Sequence, residues 1–248
     1  MVKTGQEQSV AVAKLVWSSA RASLPVLRHL QRACTVIELH YYPSYISLLP
    51  HILLHEIGVE HRLVFVDRYA GAHKREAYLK LNPNGLIPVL KDRDLVLYEA
   101  AAITLHLVDK HPEARLAPAV GTDDRAHFYK WLMWLATGLH PALSNYLHPY
   151  KWTPDEAAQE KLRAGAETRV AELFDIIDAE LEKDARPWLL GEHYSVLDAY
   201  AFVLCRWSRQ MARPGVSWPH FGPYANRVSE RPAVLRALRA EYLSEPWI

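Results

Sequence analysis

The sequence predicts an α/β unit followed by an all-α unit, and three observations carry this. Between residues 36 and 110, short β-rich runs alternate with helical patterns. A turn-rich stretch, Asn82-Pro83-Asn84-Gly85, leads into two short apolar runs and then a helix. From Thr122 to Ile248 only helical periodicity is found.

Size and composition bound the function before any motif does. At 248 residues, 50% hydrophobic and 23% charged, the chain suits a soluble globular protein of two modest domains or one large one. A net charge of +1 gives no electrostatic case for nucleic acid. No apolar run approaches a membrane span, so no membrane partner is expected. Cys34 and Cys205 form neither a disulfide framework nor a Cys-x-x-Cys pair, and a reduced, cytoplasmic setting fits best.

Residues 1–35 stand apart. Lys3, Lys14, Arg21, Arg28 and Arg32 face one acid, Glu7, among several Ser and Ala. Three readings stay open: a disordered or loosely attached extension, a helical arm packed on the body, and a targeting segment. Cys34 falls in this extension and is treated as a bystander.

The run from Val36 to Tyr42 is β-rich and ends at Pro43-Ser44. Ser47 then heads a helix with Leu48, Leu49, Ile52, Leu53 and Ile57 on one side and His51, His55 and Glu56 on the other. Pro50 is tolerated in the first turn, and Gly58 is a natural stop. A second strand is expected over Glu60 to Asp67, giving a parallel βαβ pair. Arg75 to Leu81 forms a short helix. Ile87 to Leu90 and Leu95 to Leu97 form a hairpin across Lys91-Asp92-Arg93-Asp94. Pro88 belongs at a strand start or edge, and the bond before it is a candidate cis bond. Glu99 ends the hairpin and opens a helix from Ala100 to Lys110. A helix start beside an exposed strand edge is a place to dock a peptide with a charged end.

The Pro-rich segment from His111 to Gly121 marks the domain boundary, with the first domain over residues 36–116 and the helical one over 122–248. Phe128, Trp131, Leu132 and Leu135 share one face of the next helix; Tyr129, Met133, Thr137 and His140 share another. Residues 146–154 form a loop rich in aromatics and prolines. A long helix over Glu156 to Asp184 keeps Leu162, Val170, Leu173, Phe174, Ile177 and Leu181 on its apolar face. Ser195-Val196-Leu197-Asp198 is a capping box with Asp in place of Glu. Arg231-Pro232-Ala233-Val234 opens the last regular helix.

Asn82-Pro-x-Gly85-x-x-Pro88-Val-Leu, followed by Glu99-x-x-Ala-Ile, resembles the N-terminal domain of soluble glutathione transferases. Ser195-x-x-Asp-Ala-Tyr resembles the capping motif of their C-terminal domains. Tyr-x-Pro, then Ser47-Leu48-x-Pro50-His51-Ile52, is similar to the bacterial beta class, which can be followed over residues 36–248. The resemblance implies a thioredoxin-like domain of order β-α-β-α-β-β-α, a C-terminal helical bundle, and a homodimer. It implies glutathione as co-substrate, with no metal, and attack of its thiolate on a small, hydrophobic electrophile. Pro88 would be the cis-proline, the Ile87 backbone would pair with the cysteinyl part of glutathione, and Glu99 would hold the γ-glutamyl end. Lys74 is the base nearest the glycyl carboxylate, or a solvated surface lysine.

Several positions depart from the family pattern. Ala100 replaces the usual Ser or Gly, which leaves only its backbone N–H for the γ-glutamyl carboxylate. Ile46, expected within the glutathione site, replaces the beta-class cysteine, so thiol–disulfide exchange by that route is not expected. Met133 and Gly138 replace polar residues.

Ionising a thiol of pKa ~8.5 at neutral pH requires lowering it by about two units, roughly 2.7 kcal/mol. One hydroxyl donor and a helix N-terminus supply this scale. Ser47 is either that hydroxyl or a plain N-cap. Tyr41 is a tyrosine-type donor or a buried sheet residue, and Tyr45 is a third candidate. His140 in Gly-Leu-His-Pro matches a beta-class His and would donate to the sulfur or its surroundings, or it is a helix-end His. The second wall would come from Tyr129, Met133, Trp134, Thr137 and the loop from Tyr146 to Trp152. Three functions stay open: a conjugating transferase, a glutathione-dependent isomerase or lyase, and a non-catalytic glutathione-binding protein.

Overall fold

The computed structural model describes residues 36–183 and 186–248. The three readings of residues 1–35 and the placement of Cys34 lie outside the described residues.

Strand β1 (Ile37–Tyr41), helix α1 (Leu48–Ile57), strand β2 (His61–Phe65), helix α2 (Glu76–Leu79), strands β3 (Val89–Asp92) and β4 (Leu95–Tyr98) and helix α3 (Ala100–Lys110) follow in order. This is the expected β-α-β-α-β-β-α sequence. The four strands form one mixed sheet in the order β2-β1-β3-β4, with β1 parallel to β2 and the other pairs antiparallel. Leu39 at the centre pairs with Leu63 on one side and Leu90 on the other. The Ile87–Pro88 bond is cis and stands just before β3.

The helical part comprises α4 (Asp123–Trp134), a π-helical turn (Leu135–Leu139), α5 (His140–Leu147), α6 (Glu156–Glu182), α7 (Val196–Trp207), α8 (Phe221–Ser229) and α9 (Pro232–Ala240). One apolar cluster runs through both parts, from Leu39, Ile52 and Leu107 to Phe128, Phe202 and Val234. Phe128, Trp131, Leu132 and Leu135 are buried as their spacing requires. Val170 to Leu181 bury the second half of α6, but Leu162 on the first half stands 43% exposed.

The capping box forms. Ser195 Oγ accepts from the Leu197 N–H, and Asp198 Oδ2 accepts from the Ser195 N–H at 2.7 Å. Asp198 is fully buried and also accepts from the Leu189 N–H and the Tyr224 hydroxyl. It therefore ties the start of α7 to the loop before it and to α8.

Helix α1 departs from the expected amphipathic pattern. His51 is fully buried, because α9 and the chain after it pack on the side read as polar. Glu56 on that side accepts from Nε and Nη2 of Arg231 at 2.7 and 2.9 Å. Gly58 ends the helix at φ 76°, a left-handed value that glycine adopts without steric cost.

Candidate active site

The turn before β3 is built by its own polar groups. Asn82 Oδ1 accepts from the Asn84 N–H, and Asn82 Nδ2 and the Tyr78 hydroxyl both donate to the Leu86 carbonyl at 2.9 Å. Gly85 has φ 58°, and a Cβ there would lie 2.8 Å from the His73 carbonyl and 2.9 Å from Lys74 Nζ. Only glycine lets Lys74 lie across the turn, where it donates to the Asn84 carbonyl. With Leu86 fixed, Ile87 faces the cleft, and its backbone N–H and carbonyl have no partner among the described residues.

Glu99 follows β4 with φ 71° and ψ 115°, a conformation that side chains beyond glycine seldom adopt. Its side chain caps nothing, and among the described residues it has no ion-pair partner. Ala100 begins α3, so its N–H is one of the free donors that make a helix start attractive to an anion.

These groups line a cleft of about 250 Å³. Ile46, Lys74, Ile87, Pro88, Glu99, Ala100 and His140 all line it. The helical part closes it through Ala136, His140 and Ser144, four residues apart, together with Lys151, Tyr200 and Trp207. The π-helical turn sets this register. It inserts one residue per turn, so His140 leaves the face of Tyr129, Met133 and Thr137. Those three are exposed, and none of them, nor Trp134, lines the cleft. Of the loop expected to form that wall, His148 and Lys151 reach the cleft.

Two candidate donors to sulfur lie elsewhere. Ser47 is fully buried; its hydroxyl donates to the Tyr42 carbonyl at 3.0 Å and accepts from the Tyr42 N–H at 3.3 Å. It holds the N-cap position of α1 with backbone already helical, but its hydroxyl caps no helix N–H and does not line the cleft. Tyr41 packs against Phe65 and His51, away from the lining. Tyr45 does line the cleft, with the Arg68 guanidinium 4.5 Å over its ring and no partner for its hydroxyl among the described residues.

Charge in the cleft is lopsided. Arg68, Lys74 and Lys151 line it, and among the described residues no carboxylate pairs with any of them. Burial, with the like charges of Arg68 and Lys74, lowers the Lys151 pKa. Burial, with the charge of Lys151, lowers His140 to about 4, so its imidazole is neutral at pH 7. Sequence reasoning did not single out Arg68 or Lys151. Neither sits in a motif, and the fold brings them together from the loop after β2 and the loop after α5.

Residues 35–109 match the family model described as Glutathione S-transferase, N-terminal domain, and residues 159–238 match Glutathione S-transferase, C-terminal domain. The chain is 31% identical over 209 residues to glutathione S-transferase GstA of Escherichia coli O157:H7, covering 84% of this chain and all of that protein. A bacterial beta class glutathione S-transferase of Sphingomonas chungbukensis aligns with a TM-score of 0.72 at 32% identity, over 84% of this chain and all of that one. A sphingomonad glutathione S-transferase complexed with glutathione aligns with a TM-score of 0.73 at 33% identity, over the same shares. With its sheet-and-bundle fold and its cleft between the two parts, the chain belongs to the glutathione S-transferase family of enzymes.

Proposed function

We propose that the chain binds glutathione in this cleft and directs its thiolate onto a small, hydrophobic electrophile. The observation that carries the reading is charge complementarity. Glutathione brings two carboxylates and one ammonium; the cleft offers three cations without carboxylate partners and one carboxylate, Glu99, without a cation. Glu99 takes the γ-glutamyl ammonium, and the Ala100 N–H takes the adjacent carboxylate. Arg68, Lys74 and Lys151 surround the glycyl carboxylate. The free backbone groups of Ile87 pair with the cysteinyl residue as one more strand would.

The sulfur then needs donors that favour its anion. Tyr45 Oη and His140 Nε2 fill that role here, within the field of the three cations. The thiolate sulfur forms the new bond to the electrophilic carbon, and the leaving group departs with its electron pair. The protein acts as a cytoplasmic homodimer on this reading.

Ultraviolet titration of the bound thiol tests it. A pKa near or below ~7, against ~8.5 free, is expected, with turnover of an activated aryl halide. Arg68→Ala and Lys151→Ala should each weaken glutathione binding about 5- to 30-fold, and the loss should shrink at high salt. Binding with an unshifted thiol would leave a holder of glutathione rather than a catalyst, and no binding would refute the site.

A further inference from the structure

Away from the cleft, the fold gathers three imidazoles that the sequence spacing did not present as a ligand set. His51 and His55 stand four residues apart on α1, one turn above the other, and His61 opens β2 beside them. One ring nitrogen from each lies within 4.8 Å of the other two. Their ring centroids are 4.9 Å (His51–His55), 5.7 Å (His51–His61) and 4.8 Å (His55–His61) apart.

The hydrogen bonds select which nitrogens are free. His51 Nδ1 lies 2.9 Å from Glu241 Oε1, and His61 Nδ1 lies 2.9 Å from the Val59 carbonyl. Nε2 is then the nitrogen left to ligate in both. His51 Nε2 and His55 Nε2 are buried without a hydrogen-bond partner among the described residues. A buried polar atom without a partner is uncommon, and two of them converging with a third imidazole is the pattern of a ligand cradle. Imidazoles fixed through Nδ1 by a carboxylate and a backbone carbonyl are how metal-binding histidines are oriented.

We propose that His51, His55 and His61 form a three-imidazole site for a divalent transition-metal cation, Zn2+ being the natural fit, with Glu241 orienting His51 from behind. Three neutral nitrogen donors suit Zn2+ and its late first-row neighbours rather than Mg2+ or Ca2+. At a Zn–N distance of about 2.0–2.1 Å the nitrogens must draw in to about 3.3 Å of one another. His55 and His61 are only half-buried, so their rings can turn inward and a water can take the fourth position. Arg236 donates to the His55 carbonyl and brings a positive charge nearby. Glu241 Oε2 also accepts from the Ser44 N–H. The bound cation would thus clamp α1, β2, the loop before α1 and the chain after α9. None of the three histidines lines the cleft, so the site is structural and independent of the proposed transfer reaction.

The test uses the full chain after chelation and dialysis, titrated with Co2+ and then with Zn2+. One equivalent of Co2+ with intense visible d–d bands, displaced by one equivalent of Zn2+, is expected, with a rise in melting temperature. His55→Ala and His61→Ala should each cut the affinity about 100-fold or more and abolish that rise, while leaving glutathione binding unchanged. X-ray absorption of the wild-type complex, which needs no variant, should show three imidazoles. No stoichiometric Co2+ uptake, undiminished affinity in both variants, or an oxygen-only shell would each overturn the proposal.

Discussion

Nδ1 of His140 lies 3.1 Å from the Tyr200 hydroxyl. Burial raises the Tyr200 pKa, so the hydroxyl keeps its proton, and His140 is its one acceptor among the described residues. The hydroxyl therefore donates to Nδ1, and the neutral ring carries its own proton on Nε2. That makes His140 a donor toward the cleft without making it a cation. His140→Ala should raise the pKa of bound glutathione by about one unit, the scale of one hydrogen bond to an anion. Tyr200→Phe should raise it less, by releasing the tautomer. Thiolate absorbance read against pH checks both, and an unmoved pKa in His140→Ala would remove His140 from the mechanism.

The same burial has a consequence for stability. His140 is lowered to about 4 by burial and Lys151, and His148 to about 4 by burial, Lys151 and Arg68. Unfolded histidines titrate near ~6.5, so on acidification the unfolded chain takes up these protons first. The stability they contribute is full above ~6.5 and is lost as pH falls toward 4. Urea midpoints measured from pH 7.5 to 4.5 should fall, and His140→Gln should flatten the slope. An equal slope in the variant would show that the ring titrates normally in the folded state.

Glu99 combines a strained backbone with an unpartnered carboxylate. Its φ of 71° costs about 1–3 kcal/mol for a residue with a Cβ, and its side chain caps no helix N–H. Glu99→Gly should therefore stabilise the fold by about 1 kcal/mol once the greater freedom of glycine in the unfolded chain is counted. It should also weaken glutathione binding by about tenfold or more, since a charge-assisted bond is lost. Thermal melts and equilibrium binding on the same preparation check the two signs. Loss of stability with unchanged binding would mean that Glu99 serves the fold.

What the sequence disclosed and what it hid divide along range of interaction. The strand and helix order, the Gly58 stop, the cis bond before Pro88 and the Ser195–Asp198 box were legible, because each is decided by residues within a few positions of one another. The burial of His51 was not, because it depends on α9, which lies far along the chain. Nor was the one-residue shift at Leu135–Leu139, which carries Tyr129, Met133 and Thr137 out of the cleft: a π-helical turn obeys packing, not periodicity. Arg68 and Lys151 acquire meaning only as neighbours, and a lone base in a sequence does not disclose its neighbours.

Ser47 and Tyr45 separate stability from chemistry at the mouth of α1. Ser47 makes two bonds to Tyr42 and touches no part of the cleft. Ser47→Ala should cost about 1–2 kcal/mol of stability, measured by denaturant midpoint, and leave the thiol pKa where it was. Tyr45 has the opposite balance: its hydroxyl has no hydrogen-bond partner among the described residues, and the residue lines the cleft beside Ile46. Tyr45→Phe should leave the midpoint within about 0.5 kcal/mol while raising the thiol pKa by about one unit and slowing turnover about tenfold. If instead Ser47→Ala raises the thiol pKa and Tyr45→Phe does not, the Ser47 hydroxyl must turn from Tyr42 toward the sulfur when glutathione binds, and the donor is Ser47 after all.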